Sequence, residues 1–141
     1  MRGRFAILTN MDFEIINPTE LGSPKGYSNG ILAKGNSILF IAGQIGWNSE
    51  QKLVGEGFVE QFEQALRNIK TIVESASGGV TNICRFTIYV TDKSEYVAKI
   101  KKVGEAYRRV MGKHFPAMTL LEIKSLLEAG AKVEIEATAV I

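Results

Sequence analysis

The sequence predicts an α+β domain in which two helices pack on one face of a mixed sheet. Three observations carry the prediction. One long segment repeats apolar residues at three- and four-residue spacing, and a later one does the same. The segments around them have strand length and either alternate or run apolar throughout. Their order is strand, strand, helix, strand, helix, strand, strand.

A chain of 141 residues fits a single domain and buries a core without disulfides or metals. Residues 1–13 show no clear period and read as an N-terminal extension, and Met11 could itself be a start. The domain then runs over 14–141. Asn17 to Gly30, "NPTELGSPKGYSNG", is loop-like in its Gly, Pro, Ser and Asn content. "ILAK" and "SILFIAGQI" read as two strands around a turn at Gly35-Asn36. The second is apolar along its length, which predicts a central strand covered on both faces.

The first helix carries Phe58, Phe62, Ala65, Leu66, Ile69, Ile72, Val73 and Ala76 on one stripe. Glu63 and Arg67 form an i,i+4 pair outside it, and Gly78-Gly79 supplies the stop. In "NICRFTIYVTD", Cys84, Phe86, Ile88 and Val90 face one side and Arg85, Thr87, Tyr89 and Thr91 the other. Asp92 or Ser94 caps the second helix, whose inner face is Val97, Ile100, Val103, Tyr107 and Val110 or Met111. Gly112 and Pro116 end it. "AMTLLEI" and "AKVEIEATAVI" are the last strands; Val133, Ile135, Ala137 and Ala139 oppose Glu134, Glu136 and Thr138. With one strand apolar on both sides, the second sheet face is not solvent-like and reads as an oligomer interface.

Composition excludes several classes of function. A net charge of +2 offers no phosphate track, so nucleic acid is not expected as a partner. No apolar run approaches the roughly 20 residues that span a bilayer. The basic, briefly apolar N-terminus lacks a cleavage site, so the protein reads as cytoplasmic with no membrane partner. One cysteine and one histidine make neither a disulfide nor a zinc site, so no metal is expected. Cys84 reads as a buried strand residue, and His114 as a helix-end or loop residue.

Six pieces, "GYSNG", "IAGQIGWN", "FVEQFEQALRNIKTIVESA", "RFTIYVTD", "HFPAMTLLEI" and "KVEIEATAVI", fall in order between about Glu14 and Ile141. Together they resemble the RidA/YjgF family, also labelled endoribonuclease L-PSP. The resemblance implies a chorismate-mutase-like fold and a homotrimer with a cleft at each subunit interface. It implies cofactor-free hydrolysis of reactive enamines and imines to carbonyl compounds and ammonia. Tyr27 then walls the cleft, the Gly43 N–H holds a substrate oxygen, and Glu134 orients the attacking water. The family's carboxylate-binding Arg falls on Met118. The residue whose carbonyl also holds the water falls on Leu120. Ala42 replaces a Ser, and a helical Asn falls near Lys101.

The chemistry fits those residue types. Imine hydrolysis needs a held water, an acceptor for its proton and a grip on the substrate. Glu134 suits the first two; otherwise it is an interface ion pair. Glu136 is its rival on the same strand face, and one of the two is expected to pair with a cation such as Arg85. The grip departs from the family, because Met offers none of an Arg fork's charge-assisted bonds. Met118 with Trp47, Tyr27 and Leu120 reads as a cleft for a flatter, larger or less charged substrate, such as an ester, thioester or aromatic ring-cleavage product. Lys25 or Lys101 could supply a displaced cation. The alternatives are a trimeric small-molecule binding protein without turnover, and the ribonuclease of the older label, for which the sequence offers no acid–base pair.

Overall fold

The computed structural model describes residues 13–141. The elements are β1 (Phe13–Ile16), β2 (Gly30–Ala33), β3 (Ile38–Gln44), α1 (Phe58–Ser75), β4 (Ile83–Val90), α2 (Lys93–Ala98), α3 (Ile100–Met111), β5 (Ala117–Glu122) and β6 (Val133–Val140). The extension expected over 1–13 lies outside the described residues except for Phe13, which opens β1 and sets its ring edge-on to His114. β1 and β2 form a separate antiparallel ribbon. The main sheet has the order β3-β6-β4-β5, with β4 and β5 parallel and the other pairs antiparallel.

The core lies between one face of this sheet and helices α1 and α3. Phe58, Phe62, Ala65, Leu66, Ile69 and Val73 are buried, as the stripe predicts. They meet Phe86, Ile88 and Val90 of β4 and Val133, Ile135 and Ala139 of β6. Each fully buried Leu, Ile, Val or Phe contributes about 1.5–3 kcal/mol relative to exposure, and the shared face concentrates that gain in one layer. Gln61 is the polar exception in the stripe. It is fully buried, donates to the Gly55 and Gly130 carbonyls and accepts the Lys132 N–H.

Four readings are corrected. β3 is an edge strand rather than a central one, and Phe40 is 78% exposed. An apolar run reports that a strand needs covering, not that its own chain supplies the cover. β2 and β3 do not share a sheet; the turn between them is held by backbone bonds from Asn36 and Ser37 to Ile141. α1 ends with Ser77, not a glycine, in the left-handed conformation at φ 69°. The second helix breaks at Lys99 into α2 and α3, and the break shifts the helical phase, leaving Val97 and Ile100 exposed. Its predicted caps stand: Asp92 accepts the Ser94 and Glu95 N–H groups, and Gly112 closes α3 at φ 64°.

Candidate functional site

Glu134 projects from β6 on the sheet face away from the helices, because its neighbours Val133 and Ile135 take the core face. Across the ladder, β3 carries a bulge. Ile41 pairs with Ala137 but Gln44 pairs with Ile135, so Ala42 and Gly43 together hold one residue too many. The bulge brings the Gly43 backbone under the Glu134 side chain. A Cβ on residue 43 would overlap the Glu134 carboxylate. Only glycine permits this approach. Glu134 is half-buried and has no cation or hydrogen-bond donor among the described residues. A carboxylate left without an internal partner beside an exposed backbone turn is free to hold a water.

Glu136 is held differently. Tyr89 donates its hydroxyl to Glu136 Oε1 at 2.9 Å, and that bond pushes the Tyr89 phenol up. The expected Arg85 pair is absent. Arg85 instead lines a groove of about 250 Å3 with Tyr27, Ala117 and Met118, and has no carboxylate partner among the described residues.

Met118 and Leu120 lie on β5, at the opposite edge of the sheet from β3. They pair with Phe86 and Ile88, so their side chains take the helix face and pack against the core. Tyr27 stays with this edge, because Ser28 bridges to Ala117 and bonds the Pro116 and Phe115 carbonyls. Trp47 does not join them. It pairs with Leu53 in the loop after β3, its carbonyl held by Asn68. The sequence expects one cleft, whereas a single chain places these residues in two groups: Gly43 and Glu134 at the β3 edge, Tyr27, Met118 and Leu120 at the β5 edge. Lys25 borders the space beside Met118, whereas Lys101 lines a different groove with Glu60 and Glu63.

Cys84 and His114 are each tied to a backbone carbonyl. Ile83 takes the core position that spacing assigns to Cys84, because β4 bulges between Ile83 and Arg85. Cys84 is half-buried, its thiol donates to the Thr138 carbonyl, and burial pushes it up. His114 lies in the loop after α3, as expected, and is buried there with its Nε2–H on the Ile83 carbonyl at 2.7 Å. Burial holds its imidazole below the ordinary range. Among the described residues no cluster of His, Cys, Asp and Glu is arranged to hold a metal. No described helix is long and apolar enough to cross a membrane.

The family pattern described as Endoribonuclease L-PSP matches residues 18–141. The chain belongs to this family. A RutC family protein of Aquifex aeolicus is 40% identical over 109 residues, covering 74% of this chain and 82% of that protein. The human 2-iminobutanoate/2-iminopropanoate deaminase is 31% identical over 115 residues, covering 81% of this chain and 79% of the relative. A Rid-family protein from Yersinia pestis shares the fold with a TM-score of 0.84 at 27% identity, over 93% of this chain and all of that one. RidA from a Psychrobacter species gives 0.65 at 29% identity, over 85% and 92%. The fold is thus that of the RidA and YjgF proteins, with β3 and β5 as its open edges.

Proposed function

We propose that this family member is a cofactor-free enamine or imine deaminase, a cytoplasmic homotrimer that assembles each site from the β3 edge of one subunit and the β5 edge of the next. The observation that carries the reading is the unpartnered Glu134 carboxylate seated on Gly43. An edge-to-edge ring supplies what one chain lacks, since a head-to-tail contact that closes makes every half-site whole. Several relatives named as 2-iminobutanoate/2-iminopropanoate deaminases support the reaction class.

The steps balance without a redox partner. An enamine first takes a proton on carbon to become an iminium. Water then forms a C–O bond to the imine carbon as Glu134 takes its proton, and the C=N bond becomes C–N. Glu134 passes that proton to nitrogen, then takes the proton of the new hydroxyl as C–N breaks and C=O forms, and ammonia leaves. The Gly43 N–H steadies the developing oxygen. Position 118 sets the substrate: without an Arg fork, short 2-imino acids lose two charge-assisted bonds worth about 1.5–3 kcal/mol each.

Ammonia release from imines generated freshly by an amino-acid oxidase tests the reading. Glu134→Gln keeps the side-chain volume but removes the base, and should cost at least ~100-fold with the assembly unchanged. A normal Glu134→Gln beside a dead Glu136→Gln would reverse the assignment. A second reading, a trimeric binding protein without turnover, draws on Met118 alone. It predicts saturable binding and no ammonia from any imine offered.

A further inference from the structure

Behind Met118, on the helix side of the β5 edge, lies a cavity of about 350 Å3. It is complete within one chain. Ile88, Val103, Tyr107, Phe115 and Met118 wall it, and among the described residues no acidic side chain lines it. Two cations border it: Lys25 from the loop before β2, and Arg108 on α3. Neither has a carboxylate within ion-pair distance among the described residues. The nearby helix arginines differ, since Glu63 takes both Arg67 and Arg109. Gly104, one turn before Arg108, leaves this part of the wall open. A Cβ there would meet nothing within 4 Å except Arg108 Nη1, at 3.5 Å. The guanidinium thus lies beside an opening rather than over a side chain.

We propose that this cavity binds an amphipathic carboxylate, with an apolar, aromatic or branched body inside and its carboxylate on Arg108. Apolar walls reward burial of an apolar body at roughly 25 cal/mol per Å2. The volume is at the small end of ligand pockets, room for a phenyl-sized group and more than a methyl or ethyl side chain needs. The Arg fork grips a carboxylate through two charge-assisted bonds. Lys25 adds a point charge. Applied to the deaminase reading, on which this step rests, the substrates are imino or enamine acids with bulky apolar side chains. Their carboxylate is gripped from α3 instead of from residue 118, and Met118 packs on the apolar body.

Calorimetric titration of the assembled protein with 3-phenylpropanoate, 3-phenylpropanamide and propanoate tests this. None of the three can be turned over as an imine. The phenyl acid should bind about tenfold or more tighter than either the amide, which lacks the charge, or propanoate, which lacks the ring. Arg108→Gln should erase the preference for acid over amide. Gly104→Leu fills the opening and replaces glycine with a stronger helix former, so it should abolish binding while the melting temperature holds or rises. Equal binding of acid and amide, or no saturable heat, would overturn the proposal. So would loss of the acid preference in Arg85→Gln rather than Arg108→Gln, which would put the anion on the other sheet face. Ammonia release without probe binding sinks the cavity assignment and leaves the deaminase reading standing. Probe binding without ammonia release does the reverse.

Discussion

Gly43 and Glu134 act as one unit, and their dependence can be tested from the glycine side. Gly43→Ala puts a methyl where the carboxylate lies, so the carboxylate must swing away. The residue is exposed at a bulge, so the fold should tolerate the change. Ammonia release should fall by about 100-fold or more, close to Glu134→Gln, with less than ~1 kcal/mol lost in a denaturant titration. His114 gives a separate, structural prediction. Its folded imidazole titrates below the ordinary 6.5. The unfolded chain therefore takes up the proton first. Stability is full above that value and is lost as pH falls through it towards the lowered folded value. Urea midpoints between about pH 8 and pH 5 should fall on the acid side, and His114→Gln, which keeps a donor for the Ile83 carbonyl, should flatten the slope. An unchanged slope would assign it to other groups. Glu134 and Gly43 were singled out by the family resemblance of their segments, whereas alternation alone left Glu134 open between a base and an interface ion pair. The burial of His114 and the displacement of Cys84 were not legible in the sequence, because both depend on which backbone groups β4 brings near.

Among the elements, α1 was the most legible and its one polar core residue the least. Period and stripe locate the helix, but periodicity is blind to Gln61, whose value lies in three backbone partners, one in the loop before α1 and two in the loop before β6. Gln61→Leu leaves the Gly55 and Gly130 carbonyls and the Lys132 N–H unpaired. It should cost about 2–3 kcal/mol, read as a lower denaturant midpoint at fixed protein concentration. A change under ~0.5 kcal/mol would mean that water replaces all three partners. Bulges were equally illegible, since an extra residue in one strand shows only against its partner's register. The β3 bulge is what carries Gly43 to Glu134. The helix break at Lys99 is of the same kind: spacing in "SEYVAKIKKV" stays nearly helical across it, and only packing reveals the lost phase.

At the scale of the whole molecule, the described residues form a main sheet with two unlike end strands and one face that they leave uncovered. Ile38 and Phe40 stand exposed on the side away from the helices, at 61% and 78%, together with Leu121. Covering such residues is worth about 1.5–3 kcal/mol each, which favours assembly where the described residues supply no cover. Apolar runs made the need for a partner legible, but not which edge meets which. That follows only from strand order, which sets Glu134 next to one edge and Met118 on the other. Light scattering should give three times the 15.5 kDa chain mass. The most direct measurement mixes two crippled chains. Glu134→Gln disables the β3-edge half, and Tyr27→Ala with Met118→Ala empties the β5-edge half. After the subunits are denatured and refolded together at equal amounts, random rings join intact halves from different chains at about a quarter of the interfaces. Ammonia release should then rise well above both parents, towards a quarter of the unmodified rate. If mass analysis shows mixed rings and activity stays at the parents' mean, each site is built within one chain and the account is contradicted.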